Sequence, residues 1–222
     1  MTITGDQKFL KHINRMALVR LIRSQPGQSR ADLAAVTGLT KSTITLLAQE
    51  LIDEGWLTED EVLVTGSIGR RPTPLRLDTK RLALIGADLN TGYMEVVATT
   101  LTGDVITLVS RTFEDHEVHA VITLLARTIA EVAYRLIDQR RTILGVGLGV
   151  PGPVQASSGV LHFSPNLGWR DVPLRALLSE GLQREGLAQL QVFVQRRAAS
   201  AALGEVEFSS TPAKEPLLYI NL

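Results

Sequence analysis

The apolar spacing of this chain changes once along its length. Through Gly55 the apolar side chains recur every three or four residues, as in helices that bury one stripe; from Leu82 onward they follow the two-residue register of strands. Between the two regimes lies Gly66 to Pro74, GSIGRRPTP, rich in glycine, proline and arginine and suited to neither period. The break predicts two domains, residues 1–80 and 81–222, meeting near Lys80.

In the first segment, Asn14 is expected to cap a helix through NRMALVRLIRS that stops at Pro26-Gly27. Ser29-Arg30-Ala31-Asp32 has the form of a capping box and opens a short helix to Thr37. Gly38-Leu39 makes the turn. Thr40 then caps a third helix in which Ile44, Leu47, Ala48, Leu51 and Ile52 form one buried stripe, ending at Gly55. Outside that stripe the first turns carry Lys41, Ser42, Thr43 and Thr45, short hydrogen-bonding groups and one cation. Such a helix end suits the major groove, where base edges are read while neighbouring groups bond phosphates. A solvated face on an ordinary three-helix unit would look similar.

The sequel separates the two readings. Trp56-Leu57, Val62-Leu63-Val64 and Leu75-Arg76-Leu77 read as strands, with Gly66 to Arg71 as a basic turn between them, which favours a winged helix-turn-helix over the ordinary three-helix unit. Arg70 and Arg71, flanked by Gly69 and Pro72, suit the negative potential of a minor groove. The candidate contacts to double-stranded DNA are therefore Arg30, Thr40, Lys41, Ser42, Thr43, Thr45, Arg70 and Arg71. Net charge does not contribute, since 23 basic residues balance 23 acidic ones and any basic surface is local. The absence of cysteine excludes disulfides and thiolate metal sites. No run of about 18 apolar residues and no secretory signal is present, which predicts a cytoplasmic protein without a membrane partner.

The second segment predicts three strands, Leu82 to Asp88, Tyr93 to Thr100 and Val105 to Phe113, with Leu101-Thr102-Gly103-Asp104 as the second turn. A long amphipathic helix from Glu117 to Gln139 and a strand from Ile143 to Val150 follow, which gives a mixed sheet in an α/β layer. Gly145, Gly147 and Gly149 are no dinucleotide fingerprint, because Pro151 and Pro153 prevent the helix that must follow. Either a ligand approaches these glycines beside a proline-stiffened loop, or the strand is simply packed closely. His116 and His119 have a helix-face spacing but read as solvated, so no metal site is expected. Glu131 and Glu205 read as ordinary helix carboxylates, and Trp169 as packing.

GRRPTPLRL, GADLNTG, GVGLGVPGPV, NLGWRDVPL and AASAALGE, in this order behind a winged N-terminus, resemble the ROK family of bacterial sugar repressors and sugar kinases. The likeness spans essentially the whole chain and is to the repressors of the N-acetylglucosamine and xylose type. It implies that 81–222 is the first lobe of an actin-like, ribonuclease-H-like ATPase fold, truncated, with Asp88, Asn90 and Thr91 as a vestigial phosphate loop. It also implies a sugar or sugar-phosphate effector held near Gly152, Asn166, Arg196 and Arg197, a homo-oligomer, and no cofactor.

Departures from the family pattern bear on function. Where family kinases carry an Asn-Asp pair whose Asp accepts the proton of the attacking hydroxyl, this chain has Arg196 and Arg197. A guanidinium cannot act as general base. Asn90 replaces the glycine expected in the phosphate loop. The second phosphate loop, sugar-contacting Glu and His, and cysteine zinc motif of the family's second lobe are not in the sequence, as in a natural short form or a chain that lost that lobe. The expectation is a non-enzymatic DNA-binding regulator of carbohydrate genes; an ATP-dependent sugar kinase, or a remnant that binds DNA without responding to sugar, are the alternatives.

Overall fold

In the computed structural model, residues 4–60 and 73–208 are described. They form two compact units, Met1–Leu82 and Ala83–Leu222.

The first unit comprises α1 (Thr4–Ser24), α2 (Arg30–Thr37), α3 (Lys41–Asp53), β1 (Leu57–Glu59) and β2 (Leu75–Leu77). Helix α1 begins at Thr4, so Asn14 is an interior helical residue and not the expected cap. No proline interrupts the stretch before it, and Lys11 and Arg15 are drawn onto α3 by Glu50 and Glu54. Arg15 and Glu54 each stabilise the other's charged form: their shared hydrogen bonds raise the guanidinium's pKa and lower the carboxyl's.

The caps of α2 and α3 fall where the residues predict. Ser29 and Asp32 form the reciprocal capping box, and Gly38 ends α2 in the left-handed region at φ 71°. The Ser29 side chain, then its backbone N–H, hold the Asp32 carboxyl below the usual carboxylate range. Thr40 caps α3 by accepting from the Thr43 N–H. Leu18, Ile22, Leu33, Ile44, Leu51, Leu57 and Leu75 are essentially inaccessible and make the core between the helices and the hairpin. Strands β1 and β2 pair antiparallel, Leu57 opposite Leu77. The expected strand at Val62-Leu63-Val64 and the basic turn from Gly66 to Arg71 lie outside the described residues.

The second unit contains β3 (Leu82–Leu89), β4 (Tyr93–Thr99), β5 (Val105–Thr112), α4 (Val118–Asp138), β6 (Thr142–Val150), β7 (Val154–Gln155), β8 (Val160–Ser164), β9 (Trp169–Val172), α5 (Leu174–Arg184), β10 (Val192–Arg196) and α6 (Arg197–Phe208). Its main sheet has the order β10-β6-β3-β4-β5; β4 pairs antiparallel with both β3 and β5, while β10 is parallel to β6, so the sheet is mixed. A second, antiparallel sheet, β7-β8-β9, was not foreseen from spacing because its strands have two to five residues, too few to display a period.

Alternation decides which side of the main sheet is covered. Ala83, Ile85, Ala87 and Leu89 of β3, Met94, Val96 and Ala98 of β4, and Val146, Leu148 and Val150 of β6 are buried, in one core with Val121, Leu125, Ile129, Val132 and Leu136 of α4 and Leu178 and Leu182 of α5. Trp169 belongs to this core, and its indole N–H donates to the His116 carbonyl at 2.7 Å, which matches the packing role read for it. The residues between them, Gly86, Asp88, Glu95, Val97, Gly147 and Gly149, therefore lie on the opposite face.

Candidate functional site

On α3 the structure brings Thr40, Lys41, Ser42, Thr43 and Thr45 together at one helix end. Their hydroxyls are more committed than the residue types imply. Thr40 Oγ1 accepts from the Thr43 N–H and lies 2.9 Å from Ser42 Oγ and 2.8 Å from Thr43 Oγ1. Thr45 donates to the Lys41 carbonyl at 2.8 Å. Ser42, Thr45, Leu46 and Gln49 are all exposed and, spaced at three and four residues, share the face away from the buried stripe. Leu46 was missed by the sequence reading; its place four residues after Ser42 was the signal.

Arg30, the first residue of α2, donates to Glu59 of β1 at 2.6 Å, and its Nε is buried without a hydrogen-bond partner. The guanidinium thus spans from α2 to the hairpin. Arg70 and Arg71 lie outside the described residues.

In the second unit, Asp88 sits near the end of β3 opposite Glu95 of β4. Arg197, the first residue of α6, forms an ion pair with Asp88, its Nε 3.1 Å from Asp88 Oδ2. Burial pushes the Asp88 carboxyl up, and Glu95 adds to the rise while Arg197 opposes it. Asn90 and Thr91 form the β3–β4 turn: the Asn90 amide donates to the Tyr93 hydroxyl at 2.6 Å, and its carbonyl accepts from the Thr91 N–H at 2.8 Å. The Asn90 side chain is therefore spent on the turn itself.

A cavity of about 540 Å³ opens on the uncovered sheet face, lined among others by Asp88, Glu95, Gly147, Gln195, Arg197 and Ser200. A Cβ on Gly147 would meet nothing within 4 Å, whereas one on Gly149 would stand 3.5 Å from Asp88 Oδ1. Arg197 and Asp88 share this cavity, but Gly152, Asn166 and Arg196 are not among its lining residues. Gly152 has a backbone reason for being glycine. Its φ is 146° and a Cβ would lie 2.2 Å from the Phe163 carbonyl oxygen, so it lets the β8 strand approach. Asn166 and Arg196 are exposed.

Glu131 pairs with Arg111 and Arg135 on the surface, Glu205 is exposed, and the His116 ring stacks edge-on against Phe113 at 5.8 Å. His119 lies in the first turn of α4, where its N–H and that of Ala120 bind the capping Glu117 carboxylate. Among the described residues, no group of three or more His, Asp or Glu is placed to hold a metal ion, and no helix is long and apolar enough to cross a membrane.

The helical turn of the first unit and the one-sided mixed sheet of the second agree with comparisons to known proteins. Residues 91–222 match the ROK family, and the chain belongs to it. Residues 15–61 match the IclR helix-turn-helix domain. The chain is similar to the xylose repressor of Caldicellulosiruptor bescii, 28% identical over 225 residues, covering 98% of this chain and 53% of the relative. It is likewise similar to a putative xylose repressor of Caldicellulosiruptor sp. strain Rt8B.4 (31% over 221 residues, 98% and 53%) and to the xylose repressor of Bacillus subtilis (27% over 220 residues, 98% and 55%). The chain thus spans about half the length of the curated relatives it matches. Among solved structures, a ROK family transcriptional regulator described as a homolog of the Escherichia coli MLC protein aligns with a TM-score of 0.71 at 24% identity, over 89% of this chain and 49% of that one, and so shares the fold.

Proposed function

We propose that the chain is a DNA-binding transcriptional repressor of sugar-utilisation genes, acting in the bacterial cytoplasm. Residues 1–80 form the winged helix-turn-helix and 81–222 form part of a sugar-kinase-like sensor. The observation that carries the reading is the capped α2–turn–α3 arrangement within the segment that matches a helix-turn-helix domain. It presents Lys41 and the Thr40 to Thr45 cluster at the helix end that meets base edges in such proteins. Arg30, Arg70 and Arg71 supply phosphate and minor-groove contacts. The protein acts as a homo-oligomer on an operator of symmetric half-sites.

The second domain transfers no phosphoryl group. The position that would hold the general base is Arg197, which is permanently protonated and paired with Asp88. It binds instead a sugar or sugar phosphate in the region of Gly152, Asn166, Arg196 and Arg197. Xylose is the first effector to test, since it is in the names of the similar repressors.

The test is selection of duplexes from a randomised pool, followed by affinity measurement against salt. The expected logarithmic slope is steep, and the double variant Arg70→Ala, Arg71→Ala loses about one unit of slope per phosphate contact removed. An unchanged slope and affinity in that variant removes the wing from the interface. Titration of the selected complex with xylose, other aldoses and their phosphates is expected to shift affinity; no shift with any of them leaves a DNA-binding protein without a sensor. Turnover of any of these aldoses with ATP in a coupled assay would overturn the non-enzymatic reading.

A further inference from the structure

Leu46 is the one apolar side chain of α3 that the fold leaves exposed, at 60%; Ile44, Leu47, Ala48 and Leu51 are buried and Ile52 is half-buried. A single exposed leucine is ordinary on a protein surface. This one stands beside Thr45 and four residues after Ser42, on the face of α3 directed away from the core. The neighbouring polar groups are also less available than their types imply. The Thr45 hydroxyl is turned onto the Lys41 carbonyl, which leaves its γ-methyl as the group free to meet a partner. Gln49 donates to Asp53 at 2.9 Å. Ser42 is tied into the Thr40 capping cluster. Between the polar Ser42 and Gln49, this face therefore carries an apolar pair, the Thr45 methyl and the Leu46 isobutyl group.

We infer that Leu46, with the Thr45 methyl, is a specificity-determining contact that reads the C5-methyl of thymine in the major groove. The inference rests on the DNA-binding reading above and names the base chemistry it uses. Thymine alone among the four bases presents a methyl in that groove; the others present donors and acceptors there. An isobutyl group set against those polar edges would strip them of water without replacing the hydrogen bonds, so Leu46 selects for thymine and against the rest.

The test uses the full chain and the duplex recovered from the randomised pool, resynthesised with each thymine replaced in turn by deoxyuridine. That substitution deletes the methyl and leaves base pairing intact. Wild type is expected to lose about fourfold in affinity at one or more thymines, the equivalent of about 0.8 kcal/mol for one buried methylene-sized group. Leu46→Ala is expected to bind the thymine and deoxyuridine duplexes equally at those positions, so that the two changes are non-additive. The inference is overturned if no thymine is methyl-dependent, or if Leu46→Ala keeps the same dependence while DNA binding persists. Failure of wild type to retain any duplex at low salt would overturn the DNA-binding reading itself, and this inference with it.

Discussion

Asp88 and Arg197 show how one substitution changes what a carboxylate experiences. Half-buried on the open sheet face, Asp88 is held above its ordinary pKa by burial first and by Glu95 second, and only Arg197 opposes the rise. Replacing Arg197 with alanine is expected to raise the Asp88 carboxyl further, as read by carboxyl NMR titration; a fall or no change would mean that the 3.1 Å pair does not govern it. The sign for stability follows. A carboxyl whose folded pKa lies above its unfolded one imposes no cost below the unfolded value, and its cost grows as pH rises through the folded value. In Arg197→Ala that window extends upward. Neither the pairing nor its direction was legible in the sequence: Arg197 reads only as the loss of a base, and its partner lies on another strand. Leu46, by contrast, was legible in principle from helical spacing. The commitment of the Thr45 hydroxyl to the Lys41 carbonyl was not, because a threonine on a helix chooses between its own backbone and a partner according to rotamer.

At the level of elements, the pairing of α4 with α5 rests on a close approach at Gly181. A Cβ there would stand 2.8 Å from the Ala126 Cβ, two unyielding atoms inside normal contact. Glycine to alanine in a helix ordinarily gains up to about 1 kcal/mol, while overpacking a tight contact costs about 1–3 kcal/mol. The second effect is expected to win, so Gly181→Ala lowers unfolding free energy by about 1 kcal/mol in a denaturant titration; a stabilised variant would show that the helices separate freely. Helices α2, α3 and α4 were readable because their caps and stripes are local. The start of α1 was missed although Phe9, Leu10 and Ile13 carry the helical spacing back from Met16; the fold leaves these three exposed, and ion pairs from Lys11 and Arg15 to Glu50 and Glu54 tie the helix to α3.

For the whole molecule, the division into Met1–Leu82 and Ala83–Leu222 gives each unit its own core. If the first unit is an autonomous DNA-binding domain, residues 1–82 expressed alone will keep their helical signal. They will also bind the selected duplex with the salt slope of the full chain, because the slope counts phosphates contacted. A shallower slope would place contacts beyond residue 82.

Period and capping determined most of the element order, because a stripe, a Ser-x-x-Asp box or a left-handed glycine acts within a few residues of itself; the family likeness rested on motifs in order, from GRRPTPLRL to AASAALGE. Tertiary structure alone decided which side of the main sheet is covered and that Asp88 meets Arg197 on the other. It also decided that Arg30 is held by Glu59 and that Gly152 serves the Phe163 carbonyl. Those contacts join segments remote in sequence, and their geometry comes from packing that no local pattern encodes.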